Sequence, residues 1–377
     1  MWRRVNHRFG GRSDDPVFRL ASAVAVALVL ALAGGSRDDG RSQGAGLRAQ
    51  GSGADQAQSR GTFAAQIAAL SEPGGYFDTD NLVSNERAYL SVLPELSRRH
   101  VRGGAYIGVG PDQNFSYIAD IRPSIAYIVD IRRDNLLIHL LFKALFQQAG
   151  SRIEYLAMLF GRPAPPEFDG WRDVPISRLT EYVRRPALDV KSLAALRLRL
   201  DEVVKEFGVP LSTADLGTIG RFHRRFVEKG LALQFQSAGR PPQDYYPTYE
   251  QLLLETDGEG RQRNYLASEE SFQFVKALQA RDRVIPIVGN LSGPSALPGI
   301  GRAIGGRGET LSAFYASNVE FYLERDGSYL RFIANVSGIP RTPRSVIIRS
   351  IFGRGGGRSL SAVQSLDELV SSFAVSR

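Results

Sequence analysis

"GGAYIGVGPDQNFSYIADIRPSIAYIVDIRRDN" spans Gly103–Asn135. An apolar, strand-like run, "AYIGVG", ends in the turn Gly108-Val109-Gly110, and a second apolar run, "IAYIVDI", carries Asp130 twenty residues beyond Gly110. Pro111 and Asp112 suit the start of a helix, predicted from about Asp112 to Asp120, because proline fits a first helical turn and aspartate can cap free N–H groups. A glycine at the end of the first strand lets backbone come close to a bound group, and the helix start after it favours negative charge. A carboxylate ending the second strand can accept both hydrogen bonds of a ribose diol. The spacing therefore points to an adenosine-type cofactor, with an empty structural turn as the alternative. A dinucleotide fingerprint would need a third glycine at position 113, where Gln113 stands, which argues against NAD or FAD.

Further along the chain, "NLLIHLLFKALFQQ" (135–148) is apolar on most faces and reads as a buried helix, with His139 packed and hydrogen-bonded inside it. Residues of about 150 to 280 are largely helical, as in "SLAALRLRLDEVVKEFG" and "IGRFHRRFVEKGLALQF", with proline-rich turns between the pieces. Strand signals return in "VIPIVGN" (284–290), "LSAFYASN" (311–318) and "SVIIRSIF" (345–352), separated by helix or loop material. This alternation predicts an α/β fold: a doubly wound, mostly parallel sheet of about five strands, with a large helical insertion after the second strand at about 150–280. Ahead of the first strand, "FAAQIAALS" from Phe63 is an amphipathic helix. The Asp/Asn-rich "FDTDN" (77–81) reads as an Asx-type turn in preference to a cation loop, and helical spacing runs from Glu86 through Leu96.

The N-terminus carries Arg3 and Arg4, the apolar stretch "LASAVAVALVLALA" (20–33) and small residues at Ala31 and Ala33, the three parts of a secretory signal. A cleaved signal peptide over residues 1–33 is the first reading, and an uncleaved membrane anchor is the second. Both predict a cell-envelope location, exported or anchored. A buried helix is disfavoured because residues 34–61 are rich in Gly, Ser and Gln and offer no apolar face; they read as a disordered tether before a folded domain of 62–377. The chain lacks cysteine, which excludes disulfides, thiolate metal sites and cysteine nucleophiles. Its four histidines have no H-x-x-x-H spacing, which argues against a histidine-built metal site. The formal charge of +8 comes from scattered arginines, as in Arg98-Arg99, Arg132-Arg133 and Arg224-Arg225. They are not interleaved with aromatic residues, so the charge argues against a nucleic-acid surface and leaves acidic lipid or polymer open.

On "YIGVGPDQN", the acid of "YIVDIRRDN" and the order of the later strands, the chain resembles the class I S-adenosylmethionine-dependent methyltransferase superfamily, as a diverged bacterial member. The resemblance implies S-adenosylmethionine as cofactor and methyl transfer to an acceptor that the sequence does not identify. It would place Gly108 and Gly110, with Asp112 and Asn114, along the methionyl side of the cofactor. Asp130 would hold the ribose, and Gly289 and Asn290 would lie beside the adenine. "NLVSNE", with Asn85 and Glu86, would cover the cofactor from the N-terminal side. Asn318 and Glu320, in "SNVE", would orient the acceptor, Glu320 as its base. Each has a plainer reading: Asn290 can begin a turn, Asn318 can cap the next helix, and Glu320 can be the acid of its first turn. The superfamily adds a helix and an antiparallel hairpin after the fifth strand. Only about 25 residues follow Phe352, so a truncated sheet is expected. Two other functions stand beside methyl transfer: a non-catalytic binding or scaffold protein with a degenerate site, and an NAD-dependent oxidoreductase. The export signal favours the scaffold, since S-adenosylmethionine is made in the cytoplasm.

Overall fold

Strands β1 (Ala105–Gly108), β2 (Ile125–Asp130) and β3 (Val284–Val288) are buried at every residue. An unbroken apolar run has no polar face to give to water, so it belongs inside a parallel sheet covered on both sides. In a computed structural model, which describes residues 53–240, 243–352 and 359–374, these strands and β4 (Leu311–Ser317), β5 (Arg341–Phe352) and β6 (Ser359–Ser365) form one sheet. Its order is β3-β2-β1-β4-β5-β6, with the first five parallel and β6 antiparallel to β5. The chain runs outward from β1 to β3 and then returns to build β4 on the other side of β1. That reversal places the topological switch point between β1 and β4, where the carboxyl ends of the strands open a crevice.

The α/β class and mostly parallel sheet agree with the sequence, and the sheet has six strands where about five were expected. β5 and β6 pair over seven residue positions, so the C-terminus supplies an antiparallel edge strand and then a helix, Leu366–Ala374. The predicted helix after the glycine turn is Gln113–Ile121, and the next buried helix is Arg133–Gln148. Helices fill the chain between β2 and β3. Their loops are gathered by Arg152, which is 1% exposed and donates to the carbonyls of Leu266, Ala267, Trp171, Arg172 and Val174. The first helix begins at Gly53, upstream of its expected start at Phe63. The expected signal or anchor and most of the tether lie outside the described residues. Among the described residues no helix is long and apolar enough to cross a membrane.

Residues 71–88 form a strap across the carboxyl edge of the sheet. The Glu72 N–H donates to Val288 O at the end of β3, and the Gly75 N–H donates to Ile131 O just past β2. Arg132 Nη1 donates to both the carbonyl and the hydroxyl of Thr79. The far end is held by Glu86, whose buried carboxylate accepts from the hydroxyls of Tyr315 (2.6 Å), Ser317 and Ser350 and from the Asn318 N–H. Burial pushes the Glu86 carboxyl above the usual range against the pull of these donors. Removing the carboxylate strands four donors inside the protein, each with a desolvation cost. Glu86→Ala is therefore expected to lower the unfolding free energy by about 3 kcal/mol in urea titration. A loss under about 1 kcal/mol would mean that the strap is held elsewhere.

Candidate functional site

Beneath the strap, at the carboxyl ends of β1, β2, β3 and β4, lies a cavity of about 260 Å³. Six residues singled out from the sequence line it: Asn85, Gly110, Asp130, Gly289, Asn290 and Asn318. Gly108, Asp112, Asn114, Glu86 and Glu320 do not.

The turn after β1 is organised from within. Asn114 Nδ2 donates to the carbonyls of Val109 (3.0 Å), Gly110 (3.2 Å) and Pro111 (2.8 Å), while its Oδ1 accepts from the Tyr106 hydroxyl at 2.8 Å. A Cβ on Gly108 would run into Asn114 Oδ1 and the Tyr106 ring, so this glycine makes room for the asparagine and not for a ligand. Gly110 differs: it faces the cavity at φ +89°, a conformation that glycine adopts without strain. His139 Nε2 lies 2.9 Å from Gly110 O. A carbonyl only accepts, so the neutral ring carries its proton on Nε2, and burial pulls its pKa down to about 4. The sequence reading of His139 as a packed, hydrogen-bonded residue is what the structure has.

Asp130 is where the ribose was expected, but both of its oxygens are already engaged. Arg132 donates to Oδ1 through its backbone N–H (2.9 Å) and Nε (3.1 Å), and to Oδ2 through Nη2 (2.9 Å). Asn81 Nδ2 completes the set at 3.4 Å from Oδ2. A diol can take both oxygens only if Arg132 yields. Across the cavity, Asn290 Oδ1 accepts from the backbone N–H and the hydroxyl of Ser292, both at 2.9 Å, so the plainer turn reading holds while the residue still lines the wall. A Cβ on Gly289 would strike Ala296, so packing requires that glycine. Glu72 closes this loop by accepting from the N–H groups of Asn290, Ser295 and Ala296. Burial raises its carboxyl, but the three backbone donors outweigh burial and leave it below the usual range.

Asn318 occupies the cap position of the helix Val319–Arg325 but makes no side-chain cap bond, and it faces the cavity. Ser317 before it sits at φ +54°, and Asn81 opposite sits at φ +44°. Left-handed backbone at two non-glycine residues lining one cavity is the strain that tends to collect at ligand sites. Glu320, expected as a base, points away from the cavity, bonded to Arg349 Nε at 2.6 Å and the Tyr329 hydroxyl at 2.9 Å. Its place in the first helical turn turns it toward β5, and the ion pair there spends its charge.

The sequence reading missed Thr79, Asn81 and Arg132 at the ribose side, and Phe77 and Tyr322, whose rings meet edge to face at 4.8 Å and line the wall. "FDTDN" did carry a local signal, but nothing local connects it to β2. Beside the cavity, sharing Phe77, Thr79 and Arg132 with it, opens a larger groove of about 760 Å³. The model of a domain of unknown function, DUF7790, matches residues 81–162 and 237–372, together more than half of the chain. The chain belongs to that family. Most of the cavity wall falls within the DUF7790 match, whereas residues 163–236, including the helix Thr213–Lys229, fall between its two stretches. No curated relative matches the chain.

Asp112, expected along the cofactor, instead faces a buried tyrosine cluster, accepting from Tyr249 at 2.5 Å and Tyr265 at 3.2 Å. Burial pushes its carboxyl up to about 6, with the two phenols pulling the other way. A folded pKa above the unfolded one means that the protonated form is favoured in the fold. Its contribution is therefore present below about pH 4 and lost as pH rises through about 6. Asp112→Asn keeps an acceptor for the tyrosines and removes the titration. Urea unfolding of both proteins from pH 4 to 8 is expected to show the wild type losing on the order of 2 kcal/mol more than the variant as pH rises. Parallel pH profiles would show that Asp112 does not titrate in this range.

Proposed function

We propose that the protein is an S-adenosylmethionine-dependent methyltransferase, with the cavity under the strap as its cofactor site. The observation that carries this reading is the meeting of Gly110, Asp130, Asn290 and Asn318 around one cavity at the switch point, from four separate strand ends. The order β3-β2-β1-β4-β5 followed by an antiparallel strand supports it, and so does the strap over the crevice. In this reading the helices between β2 and β3 are an insertion, which gives the cavity the loop residue Phe235. The donor set is of the right kind: side-chain amides at Asn81, Asn85 and Asn318 for polar edges, and the Phe77 and Tyr322 rings for a cation. When bound, the cofactor supplies an electrophilic methyl carbon. The chain's residues then bind, orient and exclude water. Gly110 admits the ligand close to backbone, the Phe77–Tyr322 pair walls the cavity, and Asn318 directs the acceptor. No free base faces the cavity among the described residues, since Asp130 is held by Arg132 and Asp326 accepts from the N–H and hydroxyl of Ser328. Rate enhancement therefore comes from proximity and orientation, on an acceptor that needs no proton removed by the protein.

The Asp130–Arg132 fork favours one rival, a binding protein of the same fold whose cofactor site is closed. Calorimetric titration with S-adenosylmethionine, its demethylated product and NAD separates the two. The expected result is binding of the first two and not of NAD, weakened about tenfold or more in Asn318→Ala or Asp130→Asn. Silence with all three ligands would remove the enzyme reading in favour of the binding protein.

A further inference from the structure

Two of the three arginine pairs that look scattered along the sequence converge on the 760 Å³ groove beside the cavity. On the helix Thr213–Lys229, Arg221, Arg224 and Arg225 follow the spacing i, i+3, i+4 and so share one face. The opposite wall carries Arg132, Arg133 and Arg240. The helix is docked by Arg133, which grips Asp215 with two bonds of 2.9 and 3.0 Å and holds that carboxyl down at about 2. The arginine face is thus fixed in direction by an ion pair.

Asp78, Asp80, Asp134 and Glu228 line the groove together with six guanidinium groups. Asp78 pairs with Arg240 at 2.5 Å and Asp80 with Arg225 at 3.6 Å, while Arg132 and Arg133 are matched by Asp130 and Asp215 outside the groove lining. Arg221 donates to the Thr218 hydroxyl at 2.7 Å, and neither it nor Arg224 meets a carboxylate at ion-pair distance among the described residues. Arg224 also lies close enough to Arg197 to disfavour that group's charge. Both guanidinium groups are exposed and lie one helical turn apart, a geometry in which two planar forks can share one multidentate anion. Arg132 belongs to both groove and cavity, so an anion seated here has its far end beside the methyl-transfer site.

We propose that this groove is the acceptor's anion subsite, and that it takes a phosphoryl group through Arg221 and Arg224. The acceptor is then a phosphorylated molecule, either free in solution or as a lipid headgroup, whose nucleophile reaches past Arg132 toward Asn318. The assignment to the acceptor rests on the methyltransferase reading; anion binding in the groove does not. The full chain is titrated with inorganic pyrophosphate and, in a second arm, sedimented with phosphatidylglycerol and with phosphatidylcholine vesicles. Wild type, R221Q/R224Q and the surface control R178Q are compared. Saturable pyrophosphate binding is expected, about tenfold weaker in R221Q/R224Q and unchanged in R178Q. Phosphatidylglycerol capture lost in the double variant, without pyrophosphate binding, assigns the phosphoryl group to a membrane. Binding to neither probe, or equal losses in R178Q, overturns the proposal and leaves a solvated basic face. S-adenosylmethionine affinity, measured on the same samples, is expected to survive R221Q/R224Q. If wild type ignores S-adenosylmethionine but binds pyrophosphate through these arginines, the methyltransferase reading falls and the anion site stands. If it binds S-adenosylmethionine but not pyrophosphate, the groove proposal falls alone.

Discussion

A buried carboxylate holds the site together. Glu86 stands at the far end of a strap that begins at β3, and its oxygens collect donors from β4, from β5 and from the backbone of Asn318. A charge so far from water is tolerated only where every lone pair is met. The requirement works in both directions: the donors fix Glu86, and Glu86 fixes the strained end of β4 at Ser317. The roof of the cavity and its Asn318 wall are thereby joined through one side chain. This is why a residue that touches no ligand decides the shape of the site.

The central sheet was readable because its strands are buried on both faces and so appear as unbroken apolar runs. β6 was not, since "SLSAVQS" is a polar edge strand whose only signal is the partner it pairs with. The site was readable to the extent that topology dictates it. Gly110, Asp130, Asn290 and Asn318 lie at or within two residues of strand ends, and the ends of parallel strands must meet at one edge. Side-chain direction was not readable. Asp112 and Asn114 follow the same turn as Gly110, yet one faces tyrosines from beyond position 240 and the other faces its own loop. Glu320 lies two residues from Asn318 and points to Arg349. The arginine groove needed the helix Thr213–Lys229 to be docked by an ion pair spanning 82 residues, which no local pattern encodes.

Arg132 is the electrostatic hinge of this arrangement. It ties Asp130 to the strap through Thr79 and lines both the cavity and the groove. Its pairing with Asp130 is well desolvated, so neither partner can be removed cheaply, but an anion in the groove offers the guanidinium a second carrier of negative charge. A phosphorylated acceptor could then draw Arg132 from Asp130 and free that carboxylate for the ribose. The two ligands would favour each other's binding, as linkage requires.

If the cavity under the strap is a cofactor site, Asp130 is released from Arg132 on binding. A crystal structure of the chain grown with the demethylated cofactor tests it most directly. Density is expected for the ligand between Gly110, Asn290 and Asn318, with its ribose on Asp130 and the Arg132 guanidinium turned toward the groove. Ligand density elsewhere, or a cavity without ligand and an intact Asp130–Arg132 fork at saturating concentration, would contradict it.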